Sequence, residues 1–274
     1  MTAVAPHSAP RAVLRAQDLV VAYGSHRVLD GLALTLAPGE SLAVLAPGGG
    51  GKSTLFRALL YLEQSQGGTL YWFDQSVTQL SNRQIHHLRQ RIGAVHQNGA
   101  LFADLTVEDN IRLPLVELTN LPAPQVDSTL RFILTVAHLT PFRHLRPAAL
   151  STLMIRQVAL ARALVLGPEL LICDDIFAGL DPKAQGQICR SINALHLQRG
   201  RAALFLTHDL DMAIRLAQQL AVLRAGKIVW RGEAATLGSD PASPGGVSPR
   251  GAPAGGPPAG LRRRPRGGEG GGGG

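Results

Sequence analysis

The chain is a succession of short apolar runs punctuated by turn residues. Residues 11–45 alternate apolar and polar positions around Tyr23-Gly24 and Pro38-Gly39, which predicts short strands joined by turns. Leu42-Ala43-Val44-Leu45 is instead continuously apolar and empties into glycines. A helix is predicted from residue 52 to about 63, ended by Gly67-Gly68, with a strand over 69–73. Ser81-Asn82-Arg83-Gln84 is a capping box, so a helix should run to about residue 91, followed by a strand over 92–96. Over 105–166 the rhythm changes. Thr106-Val107-Glu108-Asp109 predicts a helix start, Pro122 and Pro124 a break, and residues 130–139 and 155–166 further helices. The runs at 170–173, 203–207 and 220–223 are short and apolar, closed in one case by Thr207, as parallel strands covered on both faces are. Residues 211–219, between the last two, complete a βαβ rhythm as a helix, and the fold class is α/β.

The apolar run at 42–45 leads into Ala-Pro-Gly-Gly-Gly-Gly-Lys-Ser-Thr at 46–54. A strand that opens into such a loop and then a helix is a phosphate cradle. Gly48, Gly49, Gly50 and Gly51 let successive backbone N–H groups turn inward without interference from a Cβ. The following helix adds the positive end of its dipole. Lys52 is placed to reach β- and γ-phosphates, the Ser53 hydroxyl to hold Mg²⁺, and Thr54 completes the loop. The pattern asks for glycine at 46, where this chain carries one extra methyl, Ala46. The competing reading is a glycine-rich turn with no ligand; Lys-Ser-Thr directly after Gly51, behind an apolar strand, argues against it.

Composition narrows the class. A chain of 274 residues, 45% hydrophobic and 17% charged, can bury a substantial core. No apolar run approaches the roughly 18 residues of a membrane span, and no basic-then-apolar N-terminus marks the chain for secretion. Cys173 and Cys189 lack metal spacing. Cys173 reads as a small core hydrophobe, and a reducing cytoplasm fits. Part of the net charge of +8 comes from Arg262, Arg263, Arg264 and Arg266 in a Gly/Pro tail. Residues 1–10 are expected to be loose and 238–274 disordered, leaving 11–237 as the folded domain. The tail could touch acidic lipid or nucleic acid; a solvated end is the preferred reading.

Downstream residues sharpen the cradle's meaning. Leu170-Leu171-Ile172-Cys173-Asp174-Asp175 is an apolar strand ending in paired carboxylates, and an acid there suits Mg²⁺. Ala178-Gly179-Leu180-Asp181-Pro182 follows, and the strand at 203–206 closes on Thr207-His208-Asp209. In this ordered set the chain resembles the ATP-binding subunit of ABC transporters over about residues 14–237. Strings around Gln97-Asn98-Gly99-Ala100-Leu101-Phe102 and Leu121-Pro122-Ala123-Pro124, with Met154 and Arg156, are similar to the ATPase of Mla-type phospholipid transporters.

The resemblance implies a P-loop NTPase fold: a parallel core sheet, an N-terminal antiparallel β part and a helical subdomain at about 105–166. It implies ATP and Mg²⁺ as cofactors, with Tyr23 stacking on adenine. Asp174, Ser53 and Gln97 are implied at the metal, and Asp175, His208 and Gln97 at hydrolysis. Ser151 is implied to contact the nucleotide of a second ATP-binding subunit, and a separate membrane permease is implied as partner. The location implied is the cytoplasmic face of the inner membrane, and no nucleic acid is expected. The chain departs from the family at Ala46, at Thr152 and Leu153 where the signature has glycines, at Asp175 where glutamate is usual, at Ile176 for proline and at His96 for an aromatic. These changes predict slow hydrolysis. A non-catalytic regulatory subunit of a heterodimer is the alternative, and a soluble ABC protein acting on nucleic acid through the arginine tail is a third reading.

Overall fold

The computed structural model describes residues 11–236. An N-terminal ladder is built from β1 (Leu14–Tyr23) and β2 (His26–Leu36), joined across Gly24. With β4 (Gly67–Trp72) and β5 (Gln75–Ser76) they form an antiparallel sheet in the order β2-β1-β4-β5. The larger sheet holds β3 (Ser41–Leu45), β6 (Ile92–Val95), β7 (Leu170–Asp174), β8 (Ala202–Thr207), β9 (Gln219–Arg224) and β10 (Lys227–Glu233). Its order is β10-β9-β3-β8-β7-β6, all parallel except the edge strand β10.

The continuous apolar runs are explained by two cores, one on each face of this sheet. Leu42, Val44, Leu170, Ile172, Leu204 and Leu206 pack with the antiparallel sheet and with α1 (Lys52–Leu59). Their neighbours Ala43, Leu171, Cys173, Ala203 and Phe205 point the other way. They meet α3 (Val107–Leu118), α4 (Ala123–Val136), α5 (Thr152–Leu164), α6 (Pro182–Leu195) and α7 (Leu210–Leu216). The remaining helix, α2 (Asn82–Arg89), begins at the Ser81–Gln84 capping box, which forms as the sequence predicts.

Several boundaries differ from expectation. Helix α1 ends at Leu59, because Tyr61 turns into the left-handed region at φ 53°. The Trp72 indole N–H then donates to Leu59 O and fastens the helix end to β4. Gly67 and Gly68 do not end a segment; they begin β4. The break expected at Pro122 and Pro124 falls between α3 and α4 at Pro122, which precedes α4 at its N-cap; Pro124 instead sits in the first turn of α4, where a missing N–H costs nothing. Helix α5 starts at Thr152, three residues earlier than expected, because Ser151 caps it. Helix α7 stops at Leu216, and Gln219 belongs to β9. Helix α6 and strand β10 were not expected. The arginine tail and residues 1–10 lie outside the described residues.

His196, fully buried at the C-terminal end of α6, carries a pH dependence. Its Nε2 lies 2.7 Å from Ala202 O and donates to it, while Nδ1 has no hydrogen-bond partner. Burial holds its pKa below the ordinary 6.5. Between the lowered value and 6.5 the unfolded chain binds the extra proton and the folded one does not. Stability is therefore full above about 6.5 and falls as the pH drops below it, by at most about 1.4 kcal/mol per pH unit. Urea unfolding between about pH 5 and 8 should show that slope, and His196→Gln should flatten it.

Candidate functional site

Four neighbouring parallel strands, β3, β8, β7 and β6, end along one edge. Leu45 lies opposite Thr207, Asp174 opposite Leu206, and Val95 opposite Cys173. The residues that leave these strands therefore emerge together: the 46–54 loop from β3, His208 from β8, Asp175 from β7 and Gln97 from β6. The outer end of the strands of an open parallel sheet is where such folds bind ligands.

The loop is built as a cradle. Ala46 N–H donates to Thr207 O, tying it to β8, and Gly50 N–H donates to Pro47 O across the bend. Gly49 and Gly51 adopt φ 74° and 89°, which a side chain would strain. A Cβ at Gly48 or Gly49 would meet nothing, so the loop is open on that side. No side chain caps α1, whose first amides stay available to an anion. The extra methyl of Ala46 is buried and would lie 3.3 Å from a Cβ at residue 50, so it fits because residue 50 is glycine.

Lys52 is buried, and its Nζ donates to Ala46 O at 3.0 Å and Pro47 O at 3.2 Å. The same ammonium lies 3.7 Å from the Asp175 carboxylate. Thr54 is buried in the first turn of α1. The Ser53 hydroxyl donates to Asp174 Oδ2 at 3.0 Å, while Asp174 Oδ1 is buried with no hydrogen-bond partner. Burial pushes the Asp174 carboxyl above its ordinary pKa, against the Ser53 hydrogen bond. A hydroxyl beside a half-satisfied buried carboxylate fits a divalent cation that takes its remaining ligands from water and phosphate. Among the described residues no cluster of three or more His, Cys, Asp or Glu offers an all-protein metal cage.

Asp175 follows β7 in the left-handed region at φ 46°, a conformation that aspartate tolerates better than most residues. Its N–H donates to Leu206 O, and Thr207 Oγ1 donates to its carboxylate. His208 Nδ1 lies 2.9 and 3.0 Å from the two carboxylate oxygens, on a half-exposed ring. Tyr23, 43% exposed, ends β1; its hydroxyl donates to Glu63 at 2.9 Å and accepts from Arg57 at 2.8 Å. Ser151 stands elsewhere, capping α5 through its bond from Met154 N–H. The sequence reading missed Thr207 as a partner of Asp175. Arg156, named in the sequence only as part of the Mla-type resemblance, is buried, and its Nε has no hydrogen-bond partner. Desolvation lowers the pKa of Arg156, opposed by the charge of Asp175.

One comparison decides what this edge belongs to. The ABC transporter sequence pattern matches residues 29–178, more than half of the chain and inclusive of the cradle, Gln97, Ser151 and both carboxylates. The chain belongs to the ABC transporter family. The intermembrane phospholipid transport system ATP-binding protein MlaF of Escherichia coli is 32% identical over 225 residues, covering 82% of this chain and 84% of that one. The methionine import ATP-binding protein MetN of Xanthomonas oryzae is 34% identical over 204 residues, covering 74% of this chain and 61% of that one. A dimeric post-hydrolysis structure of the ATP-binding cassette MJ0796, bound to ADP and Pi, shares the fold with a TM-score of 0.74. It is 24% identical and covers 81% of this chain and 98% of that chain. As a member of the ABC family the chain is an ATP-binding ATPase subunit that energises a transporter. No helix among the described residues is long and apolar enough to cross a membrane.

Proposed function

We propose that this subunit powers a phospholipid transporter of the MlaF kind, with slow hydrolysis, from a peripheral position on the cytoplasmic face of the inner membrane. The strand-edge cluster carries the reading: an open glycine cradle, Lys52 beside it, Ser53 on Asp174, and Asp175 on His208. The phospholipid assignment draws on the likeness to MlaF, which extends over 84% of that protein. The folded domain is taken as 11–237 with a helical subdomain at about 105–166.

In this reading the amides of residues 48–52 and the Lys52 ammonium bind the triphosphate, and Tyr23 stacks on the base. Asp174, Ser53 and Gln97 would hold Mg²⁺, which neutralises phosphate charge. Asp175 accepts a proton from the attacking water, and His208, bonded to it through Nδ1, fixes its orientation. Thr207 and Lys52 hold the same carboxylate from two further sides. Ser151 meets the nucleotide of a second subunit. A permease docks on the groove of about 410 Å³ between α2, β6, α3 and α5, whose lining includes His86, Arg89, Phe102, Pro114, Leu118 and Arg162.

Weak turnover is inferred from Asp175, one methylene shorter than glutamate, and from Thr152 and Leu153 at the head of α5. Leu153 packs partly against the core, which limits how far it protrudes. The side chains at 152 and 153 favour the second reading as well, a regulatory subunit paired with a different cassette. Single-turnover hydrolysis measured beside nucleotide affinity separates the two: binding with slow cleavage supports the first, and binding with no cleavage the second.

The metal assignment makes its own prediction. The charged form of Asp174 is disfavoured by burial, so Asp174→Asn, which keeps the shape, should raise the Tm of nucleotide-free protein by about 2–4 °C, for about 1 kcal/mol. The same variant should lose the gain in Tm that Mg²⁺ adds to bound ATP. Calorimetric melting with and without Mg-ATP checks both.

A further inference from the structure

The loop of residues 96–106 joins β6 to α3 and carries Gln97 at one end and the exposed Phe102 near the other. It is clamped from two helices. Asn110 of α3 is fully buried; its Oδ1 accepts from Phe102 N–H at 2.9 Å. Its Nδ2 is shared among the carbonyls of Phe102, Leu105 and Thr106 at 3.1, 3.2 and 3.0 Å. Arg162 of α5 reaches in from the other side. Its guanidinium donates to Gly99 O at 3.1 Å, Ala100 O at 2.8 Å and Asn110 Oδ1 at 3.4 Å, and it lies 5.5 Å from the centre of the Phe102 ring.

These acceptors are neutral oxygens. Burial lowers the pKa of Arg162, and the hydrogen bonds are what offset the desolvation of its charge. The loop also presses on α5 directly. Gly99 sits at φ 75°, and a Cβ there would lie 2.6 Å from Ile155 Cγ2. Backbone, buried amide and half-buried guanidinium therefore join one connector to the helix that Ser151 begins.

We propose that Arg162 and Asn110 are positioning residues for Gln97: they weld residues 99–106 of its loop to α5, so that Gln97, two residues from the clamp, and Ser151 shift as one body. The inference rests on the ATPase reading for the role of Gln97. Neither residue touches nucleotide in this scheme; each acts through the loop.

The test uses the full chain and the variants Arg162→Met, Arg162→Lys and Asn110→Ala. Amide hydrogen exchange on the nucleotide-free protein reads the clamp. In Arg162→Met and Asn110→Ala, amides of residues 98–106 should exchange about tenfold faster while those of β7 and β8 stay protected. Binding of a fluorescent ATP analogue in EDTA should stay within about twofold of the parent, since the cradle is untouched. Turnover should fall about tenfold, and the Mg²⁺ concentration for half-maximal rate should rise. Arg162→Lys, which keeps the charge and one hydrogen bond, should recover part of each loss, and it reads the same quantities if Arg162→Met does not fold. Unchanged exchange in the loop overturns the clamp. Faster exchange with an unchanged Mg²⁺ requirement, or nucleotide affinity falling in step with turnover, overturns the positioning role. A parent protein that binds but never cleaves ATP overturns the catalytic reading instead, and the exchange data still decide the clamp.

Discussion

Lys52→Ala is expected to weaken ATP binding about 10²-fold, the equivalent of the 2–3 kcal/mol that a charge-assisted contact contributes. Lys52 is the ammonium nearest the cradle mouth, pinned by Ala46 O and Pro47 O and within 3.7 Å of Asp175. Its replacement removes the one flexible cation of the loop while leaving the backbone amides that form the rest of the site. Some affinity should therefore survive, and ADP should lose less than ATP, because the contact is directed at the outer phosphates. Titration of both nucleotides against the parent and variant gives the comparison. Equal losses for ADP and ATP would place Lys52 elsewhere on the ligand, and an affinity within about threefold of the parent would remove it from the site.

The second large effect is at Asp175. Asp175→Asn should lower kcat about 10²–10⁴-fold, the range for loss of a positioned general base, with little change in nucleotide affinity. Asp175→Glu is the more informative variant. If the short side chain holds the carboxylate about 1 Å from its best place, restoring the missing methylene should raise the rate by about tenfold or more. The structure also says what opposes the gain. Residue 175 sits at φ 46°, less comfortable for glutamate than for aspartate, and His208 and Thr207 hold the present carboxylate where it is. A modest drop in Tm alongside a faster rate is the expected combination. A rate unchanged by Asp175→Glu and abolished by Lys52→Ala would show that hydrolysis is not limited at this residue.

The parts of the fold that could be read from sequence are those governed by neighbours in the chain. The alternation of Leu42 and Val44 with Ala43 needs two cores, and the continuous apolar run announces both. The Ser81–Gln84 box fixes the start of α2 by hydrogen bonds between residues three apart. Helix α6 had a local signal too, Asp181 capping Lys183 and Ala184 N–H with Pro182 at the first turn, though the sequence reading spent Asp181-Pro182 on the family loop. Strand β10 was less accessible: it alternates half-buried and exposed positions and owes its existence to pairing with β9.

The site follows the same division. The cradle residues adjoin one another in the chain, so their chemistry could be read directly. The distances from Ser53 to Asp174 and from Asp175 to His208 depend on strand order, which no local pattern encodes. Asn110 is the clearest case of what local reading cannot see. A single asparagine in an amphipathic helix reads as a solvated position, yet the loop from Phe102 to Thr106 folds over it and takes up its whole amide. Arg162 likewise reads as one more charge on a helix until Gly99 and Ala100 are brought against it.

The central claim is that a triphosphate lodges against the amides around Lys52 with its metal steadied by Asp174. Isothermal titration of Mg-ATP into the folded 274-residue chain tests it most directly. Saturable heat at one site per chain, weakened about 10²-fold in Lys52→Ala and no longer enhanced by Mg²⁺ in Asp174→Asn, is the predicted result. The absence of any binding heat for either ATP or ADP with Mg²⁺ present, across several temperatures, would contradict it.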